Sequence, residues 1–412
     1  MIVLPIFTLI RRQVPYAAYI SLPVLIILGA IVFNAVLALM NAQVQPVPTS
    51  LVVLCELLLV AAAHLYALHR FRPEMRIWYA LIGIFIVLAL YRSLGTGNFS
   101  VKYLRDVMII PTFVLLGIAA GQATAVRAFL IVHLVICAFA AFEAAHLDLY
   151  SEVLNVRSYY INTRGLDGSE FTTPGTDLYI SAMRPESRFF GFVDLHRVSS
   201  VFLEPVSLGN YTIIATILLC AWRQLLTPLA LGVLGLSTFL LMIGCDGRLA
   251  FVSVVVILAT FACERVLPRN IALLWLPGCV LLMVVGVSIA GWRSGADDFP
   301  GRLAYTVELL EQLGWVDLLG LSNRLVESSV DSGVVYLTLT QSIFGLGLLW
   351  CFIVFALPEN SRGQQRLKHG ICLYLVLTMT VSYSFLTIKT AALLWSAYGA
   401  MICGLPKAGG EA

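Results

Sequence analysis

The chain has 412 residues, of which 60% are hydrophobic and only 12% charged, with a formal net charge of +3. A soluble domain is nearer half apolar and a quarter charged, so a mean hydropathy of +0.92 excludes an ordinary soluble globular protein. The expected class is an all-α polytopic membrane protein, with the lipid bilayer as a partner and no nucleic acid.

Taken in chain order, residues 1–10 are apolar and can lie along the membrane interface ahead of Arg11 and Arg12. The apolar run from there to about Met40 is too long for a signal core and lacks a clear cleavage site. Further runs of membrane-spanning length follow, giving about 12 expected transmembrane helices near residues 18–40, 51–69, 77–92, 105–121, 127–147, 205–222, 227–244, 249–264, 271–291, 333–357, 370–387 and 390–405. Alternate loops collect the basic residues: Arg11 and Arg12, then Arg70, Arg72 and Arg76, Arg127, Arg223, Arg265 and Arg269, Arg362, Arg366 and Lys368, and Lys407 at the tail. The positive-inside rule makes that side cytoplasmic and places both termini on it.

The chain therefore divides into residues 1–147 (helices 1–5), a first long outer loop at 148–204, residues 205–291 (helices 6–9), a second long outer loop at 292–332, and residues 333–412 (helices 10–12). Both loops mix aromatic residues with charges of both signs, unlike disordered segments. In the second, RLAYTVELLEQLGWVDLLG (302–320) has apolar residues near helical spacing and predicts an amphipathic helix. The nine cysteines lie almost wholly in apolar runs without metal-ligand spacing, which reads as small core residues rather than a disulfide framework.

Charged residues at the mouths of the spans are the candidates for chemistry. RVSSVFLEPVSLGNY (197–211) closes the first outer loop, with Asp194 and His196 just before it and Arg197, Glu204 and Pro205 within it. An acid followed by proline suits a helix start, and an arginine there can snorkel; the alternative is a site at the water–membrane boundary. GCDGRLAF (244–251) is a tight outer turn whose Arg248 runs against the positive-inside rule. Asp246 can pair with it, or Arg248 can face an anionic ligand, since a guanidinium suits bidentate contact with phosphate oxygens. In the second loop Arg302 opens the expected amphipathic helix, and Asp331 precedes the next span as either a helix cap or a functional acid. Arg188 and Arg324 complete the arginines expected to bind substrate, with Asp246 beside them. No GxxxxGK[ST], HExxH, GxSxG or His/Cys cluster appears, so neither a metal nor a cofactor is expected. Arginines beside carboxylates at one face suit a membrane-embedded substrate with a phosphate-rich head: the cations stabilise a pyrophosphate leaving group, and a carboxylate or His196 takes a proton from an acceptor.

These stretches resemble the O-antigen ligase/polymerase superfamily, bacterial enzymes that join lipid-linked oligosaccharides outside the inner membrane. The likeness rests on Arg197, Ser200, Phe202, Glu204, Pro205 and Gly209, then on Arg248 in its turn, then on Arg302, Asp331, Gly345 and Gly347. It covers roughly residues 185–350 and the twelve-span layout. Gly247 and Leu249 around Arg248, and Val206 after Pro205, depart from the family pattern. The resemblance implies a GT-C-like, metal-independent glycosyltransferase of the bacterial inner membrane, acting at the periplasmic face on undecaprenyl-pyrophosphate-linked oligosaccharide. Arg197, Arg248, Glu204, His196 and Asp331 would be its catalytic residues, and a chain-length regulator and a flippase its expected protein partners. Ligases of the family usually carry a histidine in the second long loop; this chain has none between Trp292 and Ser332, which favours a polymerase of O antigen, capsule or exopolysaccharide. A ligase acting on lipopolysaccharide core and a transporter of lipid-linked sugars are the alternatives. The latter is weakened by the lack of an internal repeat or of paired Gly/Pro-broken helices.

Overall fold

A computed structural model describes residues 21–166, 177–182, 188–192, 195–295 and 298–403. Arg11, Arg12, Asp194 and Lys407, considered above, lie outside these residues. The described residues form helices and loops with no strand among them.

Five long helices open the chain: α1 (Leu22–Gln43), α2 (Thr49–His69), α3 (Arg76–Thr96), α4 (Val101–Ala120) and α5 (Gln122–Ala145). Two short ones follow in the first loop, α6 (Leu147–Leu154) and α7 (Val156–Arg164). Next come α8 (Pro205–Ala221), α9 (Pro228–Gly244), α10 (Arg248–Ala262) and α11 (Trp275–Ala290). The second loop carries α12 (Phe299–Glu311) and α13 (Trp315–Leu318), and the chain closes with α14 (Gly333–Phe355), α15 (Arg362–Met379) and α16 (Ile388–Ile402). Seven of these are long and apolar enough to cross a membrane: α1, α2, α3 with its lead-in from Pro73, α4, α5, α11 with its lead-in from Asn270, and α14. Helices α8, α9 and α10 are apolar but shorter.

Proline supplies several starts. Pro205 and Pro228 occupy the first turns of α8 and α9, where a missing N–H costs nothing. The expected helix over 302–320 is two helices instead. It breaks before Gly314, whose N–H donates to the Asp317 carboxylate at 2.9 Å. Asp331 is not the cap of α14; Ser332 is, accepting from the Val335 N–H.

At the centre, α4 packs on α16 at backbone contact. A Cβ on Gly117 would lie 2.0 Å from the Ser396 carbonyl oxygen, and one on Gly399 2.0 Å from that of Val114. Each helix thus offers a glycine where the other's backbone passes, the small-residue packing that lets apolar helices associate closely. Of the cysteines read as core residues, Cys245 and Cys372 are buried, whereas Cys263 and Cys351 are exposed at the outer surface of the helices, which in an apolar bundle is no penalty.

Candidate active site

The segment Arg197–Leu203 is a buried plug rather than a surface loop. Glu143, fully buried near the end of α5, accepts the backbone N–H groups of Ser199 and Ser200 at 2.9 and 2.6 Å. The Tyr150 hydroxyl donates to the Ser200 carbonyl at 2.8 Å, and the Ser200 hydroxyl donates to that of Ile136 at 2.8 Å. These bonds hold Ser200 and Leu203 at positive φ, 52° and 62°, which a non-glycine residue keeps only when its surroundings enforce it. The plug fixes Arg197, 4% exposed, whose guanidinium donates to the carbonyls of Cys245 (3.0 Å) and Ser181 (2.8 Å).

The turn between α9 and α10 is fixed just as firmly. Asp246, fully buried with φ 51°, accepts the backbone N–H groups of Phe189 and Phe190 at 3.3 and 3.0 Å. Arg188 donates to the carbonyls of Leu195, Ile243 and Gly244, with its Nε 3.9 Å from the Asp246 carboxylate. Arg188 and Asp246 therefore tie the first loop to this turn. Gly209 of α8 packs under it, where a Cβ would touch Ala250 at 3.5 Å and the Cys245 sulfur at 3.7 Å.

Above Gly209 and Asn210 the chain leaves a cleft of about 140 Å³ that opens to solvent, lined by Arg197, Arg248 and Arg302 together with Asp246 and Asp298. Three arginines more than a hundred residues apart at the extremes thus converge, one from the plug, one from the first turn of α10 and one from α12. Asp298 caps α12 by accepting from the Gly301 N–H at 2.7 Å. Asp331 joins from the rim: its carboxylate, 53% exposed, lies 3.7 Å from the Arg302 guanidinium.

The other expected site residues lie elsewhere. His196 hydrogen-bonds the buried Glu143 at 3.1 Å and does not line the cleft. Arg324 donates to the Gln312 carbonyl (2.6 Å) and the Asp317 carboxylate (3.0 Å), holding the α12–α13 connection. Gly345 packs α14 against Leu88 of α3, and Gly347 meets nothing within 4 Å. Glu204 turns away from the cleft and takes Lys389 Nζ at 2.6 Å, the Ser207 hydroxyl at 2.9 Å and the Arg164 guanidinium. Burial opposes its charge, but Lys389 and Arg164 overcome that and hold the carboxylate well below the usual range.

Sequence reading missed Glu143, Arg164 and Lys389. It also missed a second ion cluster in which Arg105 bridges Glu56 and Asp106 at 2.7 Å each and the Tyr336 hydroxyl donates to Asp106 at 2.6 Å. The available signal was a charge inside or bordering an apolar run, since such a residue marks function or a partner by default. Among the described residues no group of three or more His, Cys, Asp or Glu side chains is placed to hold a metal ion. Compared with known proteins, the chain matches no family model, and neither a curated protein nor a solved structure is similar to it.

Proposed function

We propose that the protein is a membrane glycosyltransferase that polymerises oligosaccharide repeat units carried on undecaprenyl pyrophosphate, working at the periplasmic face of a bacterial inner membrane. The observation that carries this reading is the convergence of Arg197, Arg248 and Arg302 on one cleft at the mouth of the helices. On this reading α8, α9, α10, α15 and α16 join the seven long helices as spans, making the twelve of a GT-C-like bundle, with the cleft on the outer side. The basic loops at Arg70–Arg76, Arg265–Arg269 and Arg362–Lys368 then lie in the cytoplasm.

The acceptor hydroxyl attacks the anomeric carbon of the donor sugar. A glycosidic C–O bond forms as the bond to the pyrophosphate oxygen breaks, and the electron pair leaves with the pyrophosphate. Arginines fixed in advance stabilise that developing charge without reorganising; Arg197 is held by two backbone carbonyls. The hydroxyl proton passes to a carboxylate, for which Asp331, beside Arg302 and open to water, is the candidate. Glu204 is committed to its ion pairs and serves to anchor α8 rather than to take protons.

Purified protein incubated with a lipid-linked repeat unit tests the reading by the mass of its products. A ladder of repeat numbers is expected. One transfer to lipopolysaccharide core would assign a ligase instead, and substrate moved across a bilayer with unchanged mass a transporter.

A further inference from the structure

Beside the arginine cleft lies a second polar chamber of about 140 Å³. It is lined by Asn34 of α1, Glu56 of α2, Tyr160, Thr163 and Arg164 of α7, and Lys389 of α16. The two cavities share a wall. The Ser384 hydroxyl accepts from Asn210 of the cleft at 2.9 Å, while the Ser384 carbonyl accepts from the hydroxyls of Thr387 and Thr390 on the way to Lys389. Glu204 spans it as well, because it starts the helix that carries Gly209 and Asn210 into the cleft while its carboxylate meets Lys389 and Arg164 of the chamber.

The charges around the chamber are matched. Lys389 and Arg164 share Glu204, and Arg105 is shared by Glu56 and Asp106. A charged ligand would have to break one of these pairs, whereas an uncharged ligand rich in hydroxyls exchanges hydrogen bonds and leaves the balance intact. Tyr160 supplies an independent pointer. It is 2% exposed and lines the chamber, yet its hydroxyl has no hydrogen-bond partner among the described residues, and a buried polar group left so calls for a partner. Its ring belongs to an aromatic wall, with Tyr159 and Tyr179 edge-on at 5.2 and 4.9 Å and the Arg164 guanidinium 4.3 Å above it. Aromatic rings beside mixed donors and acceptors suit a sugar ring, which presents C–H faces and hydroxyl edges. The Arg164 side chain is 44% exposed, so the chamber is reached from the surface.

We propose that this chamber is a second binding site, for a neutral sugar ring, separate from the arginine cleft. Resting on the polymerase reading, it holds the terminal sugar of the acceptor, one wall away from the donor's pyrophosphate.

The test uses the full-length protein in nanodiscs and two soluble probes: a neutral, phosphate-free oligosaccharide cut from the source cell's surface polysaccharide, and inorganic pyrophosphate. Tyr160→Phe removes only the unpartnered hydroxyl, so this variant should melt no lower than wild type while binding the oligosaccharide about tenfold more weakly. Asn34→Ala should weaken the same probe, and neither variant should change pyrophosphate binding. Arg248→Ala should do the reverse. Oligosaccharide binding that is absent from wild type, or equal in wild type, Tyr160→Phe and Asn34→Ala, overturns the chamber. If binding depends on the chamber but lipid-linked units give no ladder, the polymerase reading fails and the sugar site stands. A ladder with chamber-independent binding removes the sugar site and leaves the polymerase standing.

Discussion

A glutamate before a proline at the start of an apolar helix satisfies a local rule, because an acid there meets the positive helix end. Glu204 keeps that position, but its side chain makes no capping bond and reaches instead to Lys389, 185 residues away in sequence. Local spacing could place the acid at the mouth of a helix; it could not show which way the carboxylate turns, because that depends on α7 and α16. His196 follows the same logic, drawn to Glu143 on α5. Arg197, Arg248 and Arg302 were legible as candidates because each is a cation at the mouth of a helix, but spacing alone did not separate them from Arg188 and Arg324, which do not line the cleft. Removing one partner of a buried ion pair strands the other, which costs about 3–5 kcal/mol, whereas removing both together costs far less. Glu204→Gln should therefore destabilise the protein by about that amount in thermal or denaturant unfolding, because it strands the buried Lys389, and adding Lys389→Met should restore much of the loss, since Arg164 is 44% exposed and reaches water. The depressed Glu204 carboxylate gives the pH dependence its sign. Its contribution is complete above the unfolded value of about 4.3 and disappears only as pH falls through the lower folded value. The difference in melting temperature between wild type and Glu204→Gln should accordingly stay constant from pH 8 to about 5 and shrink in more acid solution.

At the scale of elements, each apolar run expected to span overlaps a helix, because length and hydropathy are carried by the run itself; the run at 370–387 is out of register, since its helix, Arg362–Met379, starts within the basic stretch and ends before Thr380. What the runs do not carry is how the helices meet. Gly117 and Gly399 lie in unremarkable apolar stretches, and only their contact reveals that each makes room for the other's backbone. A backbone carbonyl has no rotamer with which to give way, so Gly117→Ala and Gly399→Ala should each lower stability by about 1–3 kcal/mol or more. Gly347→Ala, with nothing within 4 Å, should be neutral or slightly stabilising, since glycine inside a helix is itself unfavourable. Unfolding of the three variants in one detergent checks both halves. The second loop shows where periodicity stops being enough: apolar spacing over 302–320 predicted one helix, and a turn locked by Asp317 onto the Gly314 N–H makes two. That break orients α12 so that Arg302 reaches the cleft while Arg324 stays behind on Asp317.

For the whole molecule, the arrangement gathers polar groups at one end of an apolar bundle. The arginine cleft, the polar chamber and the plug all lie where α5, α8, α10 and α16 meet the two long loops, the end that the proposed topology turns to the periplasm. Labelling tests the orientation directly. Glu152→Cys should react with a membrane-impermeant maleimide on intact spheroplasts, and Asn360→Cys only after permeabilisation; the reverse pattern would invert the topology. Hydropathy made the long apolar helices legible, since it is summed over many residues and tolerates local error. Which charges line a common cavity was not legible, because it depends on close packing between segments far apart in sequence. The most direct test of the central claim, that the arginine cleft is where glycan is joined, compares two arginine variants of the purified protein on a lipid-linked repeat unit. Arg248→Ala should fold and insert but yield no ladder, while Arg324→Ala, whose side chain holds the loop outside the cleft, should yield one like the wild type. A full ladder from Arg248→Ala would contradict the account.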